Sequence, residues 1–273
     1  MSSPHASVTL PDTEVRLLKS SIVNDTYRLL VALPTNYAIS DKTYPVVYLT
    51  YGNLLIPVLW FIAQSLSVDW ELPRLIVVGI GYDTEVPIEL ARIRERDFLP
   101  TNVTSPDKLR RQRLIHPGQG SKFLRFIREE LKPFINANYR TNPDDSTYVG
   151  HSHGGLFGLY ALFHHPDTFN RYVIGSPSIH HDNEVILTYE RQYAANHDDL
   201  PARVFMSVGE REELDDPLID ASFQFVTNVK KLAKTLQERN YPGLQLTTRV
   251  FEDETHASVM PVTFSRGLRV VFG

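Results

Sequence analysis

Short apolar runs alternate along the chain with longer segments in which apolar residues recur at helical spacing. A strand buried on both faces reads as a continuous apolar run, whereas a helix on a sheet shows apolar residues three and four positions apart. The pattern predicts eight strands, at residues 14–19, 27–33, 45–50, 75–80, 147–149, 171–174, 203–208 and 246–251. It predicts helices over residues 123–139, 155–165, 221–240 and 259–271. This alternation is typical of an α/β protein with a mostly parallel sheet and helices on both faces.

Residues 82–120 interrupt this rhythm, because their periodicity is weak and their charge is high. A long irregular segment in a compact domain is usually a functional lid or a loop without fixed structure. We therefore expect one domain over residues 1–273 with a lid-like or substrate-facing insertion around 82–120. The alternative is a solvated surface excursion. The basic residues of the insertion would suit anionic or oxygen-rich groups; they are Arg92, Arg94, Arg96, Lys108, Arg110, Arg111 and Arg113.

The composition excludes several classes of protein. Hydrophobic residues make up 42% and charged residues 22% of the chain, which argues against intrinsic disorder. A net charge of −4 has the wrong sign for a protein whose main partner is nucleic acid. The absence of cysteine excludes a disulfide scaffold, a thiol nucleophile and cysteine-ligated metals. The apolar stretch 54–66 is too short to span a bilayer, and no secretory signal is evident, so we expect a cytoplasmic protein without a membrane partner.

The strongest chemical signal is Gly-His-Ser-His-Gly-Gly at residues 150–155, between a predicted strand and a predicted helix. This is the context of a nucleophile elbow, in which a serine sits on a sharp strand-to-helix turn. Glycines are needed on both sides because the backbone passes close to its neighbours. The pattern predicts that Ser152 is a nucleophile and that the fold is that of an α/β-hydrolase.

A serine nucleophile needs a histidine base, which a carboxylate holds in place. In this fold the acid and the base follow Ser152 on loops after late strands, and His256 alone lies just beyond the last predicted strand. The acid should follow residues 203–208. We favour Glu212, three residues after a glycine, ahead of Glu210, and Glu213 and the other carboxylates of this loop stay open.

An oxyanion hole needs two backbone amides. The first of them follows the serine and belongs to His153. It lies at the start of the predicted helix, which is the positive end of the helix dipole. The second amide should come from the loop after strand 45–50, which reads Tyr51-Gly52-Asn53. We expect the Asn53 amide to be that donor.

These residues resemble the putative-esterase family of α/β-hydrolases, which includes the ferric-enterobactin and related siderophore esterases. Nearly the whole chain takes part in the resemblance. The similar segments are residues 44–53, 77–82, 96–101, 123–139, 150–160, 176–179, 182–183 and 256–261, with Gly267-Leu268. The matches occur in the family's order.

The resemblance implies a cofactor-independent serine carboxylesterase with Ser152, His256 and Glu212 as its triad. It also places Tyr51, Arg96, His180 and His181 at the substrate. Tyr51 stands where the family often has Asp, and His180-His181 stand where many members have a Trp pair, which implies a more polar pocket. The flanking His151 and His153 are a third departure. The implied partner is a small-molecule ester, such as a siderophore-type lactone or an acylated small molecule.

Three alternatives remain open at this stage. Similar folds include acyltransferases, in which an alcohol replaces water as the acceptor. A metal-binding protein would use the chain's histidines, since imidazole-only zinc or nickel sites exist. A non-catalytic hydrolase fold would serve as a binding module. The sequence does not predict an oligomeric state.

Overall fold

A computed structural model describes residues 9–101 and 118–273. Eight strands form one sheet in the order β1-β2-β4-β3-β5-β6-β7-β8. The strands are β1 Thr13–Ser20, β2 Asp25–Ala32, β3 Tyr44–Thr50, β4 Ile76–Tyr82, β5 Thr141–His151, β6 Arg171–Gly175, β7 Arg203–Gly209 and β8 Gln245–Phe251. All eight predicted strands are therefore present, each shifted by a few residues at most except β5, which starts earlier.

The helices lie between consecutive strands of the sequence, except the last helix, which follows the last strand. They are α1 Gly52–Val68, α2 Pro87–Phe98, α3 (residues 120–138), α4 His153–His164, α5 Val185–Ala194, α6 Phe225–Glu238 and α7 Val259–Phe272. Helix α3 consists of α-helical segments Gly120–Phe126 and Lys132–Asn138 joined by a π-helical turn, Ile127–Leu131. Short 3₁₀ turns lie at Tyr37–Ile39, Pro166–Thr168, Glu210–Glu213 and Ala221–Phe223.

The antiparallel pairs lie at the start of the strand order, around β2. Strand β2 pairs antiparallel with β1 and β4, while β4, β3, β5, β6, β7 and β8 are parallel to one another. The carboxyl ends of six strands therefore meet at one edge of the sheet, where ligands bind in open α/β sheets. This arrangement is the α/β-hydrolase fold, as the elbow sequence predicts.

Two layers of apolar side chains hold the sheet between its helices. On one face Leu59 of α1 and Phe264 of α7 pack against the sheet, and on the other Phe123, Phe157 and Leu232 do so from α3, α4 and α6. All seven residues of β4 are buried, which explains why that strand reads as an uninterrupted apolar run.

Three helices were not predicted from the sequence. Residues 54–66 belong to α1, in which Pro57 lies inside the helix. Helix α5 was also missed, and α2 occupies part of the segment that we expected to be irregular. Residues 102–117 of the expected insertion, with Lys108, Arg110, Arg111 and Arg113, lie outside the described residues. Over the two described ranges, no helix combines the length and apolar character needed to cross a membrane.

Candidate active site

Ser152 lies at the junction of β5 and α4 with φ 59° and ψ −121°. This conformation costs a non-glycine residue free energy and is typical of functional turns. The Ser152 amide donates to the Gly175 carbonyl at 2.9 Å, and its own carbonyl accepts from Leu156 at 2.9 Å. A Cβ atom on Gly150 would stand 2.5 Å from the carbonyl oxygen of Gly154, which explains the need for glycine before the turn. The backbone thus has the geometry of a nucleophile elbow.

His256 follows β8 and pairs with the predicted acid. Its Nδ1 lies 2.6 Å from Oε2 of Glu212, whose side chain is fully buried. An ionised carboxylate only accepts hydrogen bonds, so Nδ1 carries the proton in this pair and Nε2 keeps a free lone pair. An imidazole in this tautomer can accept a proton from a serine hydroxyl.

Glu212 is held by more than the histidine. Its Oε1 accepts from the Gly209 amide at 2.7 Å and from the Ser176 hydroxyl at 2.6 Å. These donors satisfy a carboxylate that would otherwise be costly to bury. The spacing from Gly209 matters because residues 210–213 form a 3₁₀ turn, which brings the third side chain back to the strand end.

The other two glutamates of this turn have different contacts. Glu210 accepts from the Asp253 amide at 3.3 Å through Oε2. Glu213 accepts from the Thr227 amide at 2.6 Å and the Thr227 hydroxyl at 2.5 Å, at the start of α6. Of the three candidates, the structure brings Glu212 to His256.

The predicted oxyanion amides lie at two helix N-termini. Helix α1 begins after Tyr51, which has φ 63°, and α4 begins at His153. The first amides of a helix have no partner within the helix, so they are available to an anion. The Asn53 side chain fixes its loop to β4 by accepting from the Tyr82 amide at 2.7 Å and donating to the Tyr82 carbonyl at 2.9 Å. The oxyanion role of Asn53 and His153 stays a prediction.

Arg94 was named among the charges of the insertion but not assigned to the site. Its guanidinium lies 3.6 Å from the centroid of the Tyr51 ring and donates to the Tyr51 hydroxyl. Its Nε is buried without a hydrogen-bond partner, and within the described ranges no carboxylate forms an ion pair with it. Burial lowers the pKa of Arg94 to about 10, so the side chain stays cationic at neutral pH. Recognition of α2 would have separated Arg94 from Arg92 and Arg96, because alternate residues lie on opposite sides of a helix.

Two neutral histidines flank the elbow. The buried His151 ring lies 4.5 Å from the His256 ring between centroids. Burial, and then the nearby His256, lowers the pKa of His151 well below its usual value. Burial, and then His181 and Arg94, lowers the pKa of His153 to about 3. Within residues 9–101 and 118–273, no three metal-ligating side chains are grouped to hold an ion.

The His180-His181 pair lies on two sides of the segment after β6. The His180 ring stacks on Phe223 at 4.2 Å and meets Phe225 edge-on at 5.1 Å, and Phe225 in turn meets His256 at 5.2 Å. His181 is buried, with Nε2 at 3.4 Å from the Thr101 hydroxyl. His180 thus belongs to the aromatic surroundings of His256, while a substrate contact of either histidine stays a prediction.

Arg96 is engaged in an internal network. It pairs with Asp25 at 2.6 Å and with Asp97 at 2.7 Å, and Asp97 also accepts from the Tyr27 hydroxyl at 2.8 Å. These contacts join β2 to α2. They account for most of the guanidinium's donors, and substrate binding by Arg96 stays a prediction.

The chain is similar to several proteins named as esterases. A model of the family described as "Putative esterase" matches residues 20–252. The ferri-bacillibactin esterase BesA of Bacillus subtilis is 32% identical over 271 residues, which cover 96% of this chain and 90% of that protein. The siderophore triacetylfusarinine C esterase of Aspergillus fumigatus is 27% identical over 97% of this chain and 94% of its own. The crystal structure of the BES protein from Bacillus cereus superposes with a TM-score of 0.84 at 28% identity, covering 100% of this chain and 99% of that one.

Proposed function

The chain belongs to the Putative esterase family and is a hydrolase, and we propose that it cleaves ester bonds of a siderophore through a Ser152–His256–Glu212 triad. The observation that carries this proposal is the buried Glu212 carboxylate, 2.6 Å from Nδ1 of the histidine that follows β8. It stands at the sheet edge that also holds the Ser152 elbow. A histidine in that tautomer is the base that a serine hydroxyl needs.

In the proposed reaction, Ser152 Oγ attacks the ester carbonyl and His256 Nε2 takes the hydroxyl proton. The carbonyl oxygen becomes an oxyanion, which the amides of Asn53 and His153 stabilise. The C–O bond to the alcohol breaks, and the imidazolium returns its proton to the departing alkoxide. Water then attacks the acyl-enzyme with the same histidine as base, which releases the acid and restores Ser152. Glu212 holds the imidazole and offsets its charge throughout.

The substrate class is supported by the relatives and by the charges of the site. BesA and the triacetylfusarinine C esterase are named for siderophore esters. The cationic Arg94 lies beside Tyr51 at the start of α1, where it would attract an oxygen-rich or anionic ligand. Iron, where present, would arrive as cargo of the substrate.

The test is hydrolysis by the wild type, Ser152→Ala and a control, Ser265→Ala in α7. The panel contains p-nitrophenyl esters from C2 to C12, a triscatecholate trilactone with and without iron, and an ester-linked hydroxamate. We expect Ser152→Ala to lose activity by roughly 10⁴-fold or more, as triad nucleophiles do, while Ser265→Ala keeps it. A faster rate on a siderophore than on every simple ester supports the substrate class.

Two results would contradict the proposal. Full activity of Ser152→Ala would exclude Ser152 as the nucleophile. Failure of a serine-reactive phosphonate to label the wild type would show that the protein has no activated serine. Acyl transfer is tested in the same assay by adding an acceptor alcohol, since a transferase would form the new ester in place of the free acid.

A further inference from the structure

Two loops at the sheet edge are fastened to each other along their length. One is the segment 209–218 after β7, and the other is the segment 252–258 after β8. The Arg211 amide donates to the Glu254 carbonyl at 3.1 Å, and the Asp253 amide donates to Glu210 at 3.3 Å. The Arg211 guanidinium also lies 3.7 Å from the Asp253 carboxylate. We call these two segments the acid loop and the histidine loop.

A second carboxylate of the acid loop reaches His256 itself. The His256 backbone amide donates to Oδ2 of Asp216 at 2.5 Å. The other oxygen, Oδ1, accepts from the Leu218 amide at 2.7 Å, which fixes the orientation of the carboxylate. Asp216 is half-buried, whereas its neighbour Asp215 is exposed and pairs with Arg211 at 2.9 Å. The two aspartates are adjacent in sequence but only Asp216 contacts the histidine loop through His256.

The imidazole and the backbone of His256 are thus held by different acids. Glu212 fixes the Nδ1 end of the ring, and Asp216 fixes the peptide from which the side chain departs. A ring tethered only at Nδ1 can still swing about that bond as its Cα moves. With both points fixed, the position of Nε2 is set as well, and proton transfer requires placement of this atom to within a fraction of an ångström.

We propose that Asp216 is a positioning residue, whose carboxylate holds the His256 backbone so that Nε2 is aimed at Ser152. The proposal rests on the function proposed above. Its effect acts on the rate of the chemical step, because Asp216 bonds the backbone and has no assigned contact with the ester. Glu212 supplies the negative charge that stabilises the imidazolium, and Asp216 fixes the position of the His256 backbone.

The experiment compares Asp216→Ala and Asp216→Asn with the matched control Asp215→Ala, all in the full-length protein. Steady-state kinetics on a p-nitrophenyl ester give kcat and KM, and a serine-reactive phosphonate counts the active sites. Ser152→Ala is the benchmark for loss of the triad. We expect Asp216→Ala to lose roughly 10- to 100-fold in kcat, in line with small misplacements of a catalytic group, with KM within about twofold and full phosphonate stoichiometry.

Rescue by asparagine separates positioning from a general structural role. In Asp216→Asn the side-chain carbonyl oxygen can still accept from the His256 amide, although the new NH₂ group cannot accept from Leu218. We expect Asp216→Asn to recover at least half of the loss on a logarithmic scale, and if the alanine variant does not fold, asparagine is compared directly with the wild type and Asp215→Ala. An alanine variant as fast as Asp215→Ala, or an asparagine variant no better than alanine, overturns the proposal. An active Ser152→Ala would instead overturn the proposed function.

Discussion

The two sides of the Ser152 elbow are built by different physical means. On the base side, the acid loop and the histidine loop are joined by hydrogen bonds to the carboxylates of Glu212, Asp216 and Glu210. On the other side, where we propose that the oxyanion forms and which we call the oxyanion side, the half-buried Arg94 stacks on the ring of Tyr51, and that ring lies 5.5 Å from Phe98. One side is fastened by many directed contacts, and the other carries a charge that is only partly satisfied.

This difference fits the role that we propose for each side. A general base works only in one orientation, so directional hydrogen bonds suit it. In the proposed reaction the oxyanion side responds to charge that appears during catalysis, and a donor already saturated by a carboxylate could not do so. The unpartnered Nε of Arg94 is therefore consistent with the task of its side. The variants below each disrupt one of the two sides.

The largest effect is expected from Glu212→Gln. The amide would place a donor against either the Gly209 amide or His256 Nδ1, and in the second case the imidazole is driven to the wrong tautomer. We expect kcat to fall by about 10³- to 10⁴-fold, the scale found when a triad acid becomes an amide. Initial rates on a p-nitrophenyl ester measure this loss. Glu210→Gln is the control, and equal losses in both would show that the acid loop, and not the Glu212 contact, matters.

The oxyanion side is tested by Arg94→Leu. Removing this cation takes away positive charge beside the helix N-termini, and we expect kcat/KM to fall by on the order of 10²-fold, the lower end for a lost transition-state donor. Arg92→Leu removes the same charge from the other side of α2 and serves as the control. Measurement on a neutral ester and on an anionic siderophore distinguishes the two roles. A loss confined to the siderophore, mostly in KM, would assign Arg94 to substrate binding alone.

The fastening of the two loops is tested by Gly209→Ala. A Cβ at this position would overlap the carbonyl oxygen of Glu254, which is backbone and cannot move freely. We expect the loops to separate, with a loss of unfolding free energy of about 2 kcal/mol, as for overpacking of a tight site. Urea unfolding measures it. An unchanged midpoint would mean that the histidine loop yields easily, contrary to the proposed rigidity of the base side.

The last prediction concerns pH and the two histidines next to Ser152. His151 and His153 have lowered pKa values in the folded protein, so as pH falls below about 6.5 the unfolded chain takes up protons first. Stability is therefore lost from pH 6.5 downward, and for His153 the loss continues to about pH 3. Each histidine contributes at most about 1.4 kcal/mol per pH unit. Urea midpoints between pH 7 and 4 should fall less steeply in His151→Gln, and parallel slopes would contradict the buried neutral state.

The strands were predictable because burial on both faces leaves a plain mark in the sequence. Helix α1 was not, because Leu54 and Phe61 are exposed at 67% and 63%, and they blur the polar face that identifies a surface helix. Helix α2 was hidden by its charges, with only Asp97 and Phe98 buried. The helix in 120–138 was predicted, but its π-helical turn has no signal in apolar spacing.

Within the site, the elbow and the histidine could be read from local order along the chain. The choice of Glu212 rested on a spacing of three residues from Gly209, and the contact with His256 agrees with it. Asp216 and Arg94 could not be read in the same way. Asp216 accepts a hydrogen bond from a backbone amide of another loop, and Arg94 lies over an aromatic ring. Both contacts join segments that are distant in sequence and meet only in the folded protein.

The turn at Glu210–Glu213 limits which sequence changes the protein can accept in evolution. Its successive side chains face the Asp253 amide, the Asp215 carboxylate, His256 and the start of α6. A 3₁₀ turn advances about 120° per residue. One inserted or deleted residue would therefore rotate the side chains that follow it away from the partners that they contact now. Substitutions at the exposed positions of this turn can accumulate singly, but a change in its length would remove several contacts at once. In an alignment of descendants of this chain, the interval from Gly209 to Glu212 should be free of gaps even where neighbouring loops differ in length.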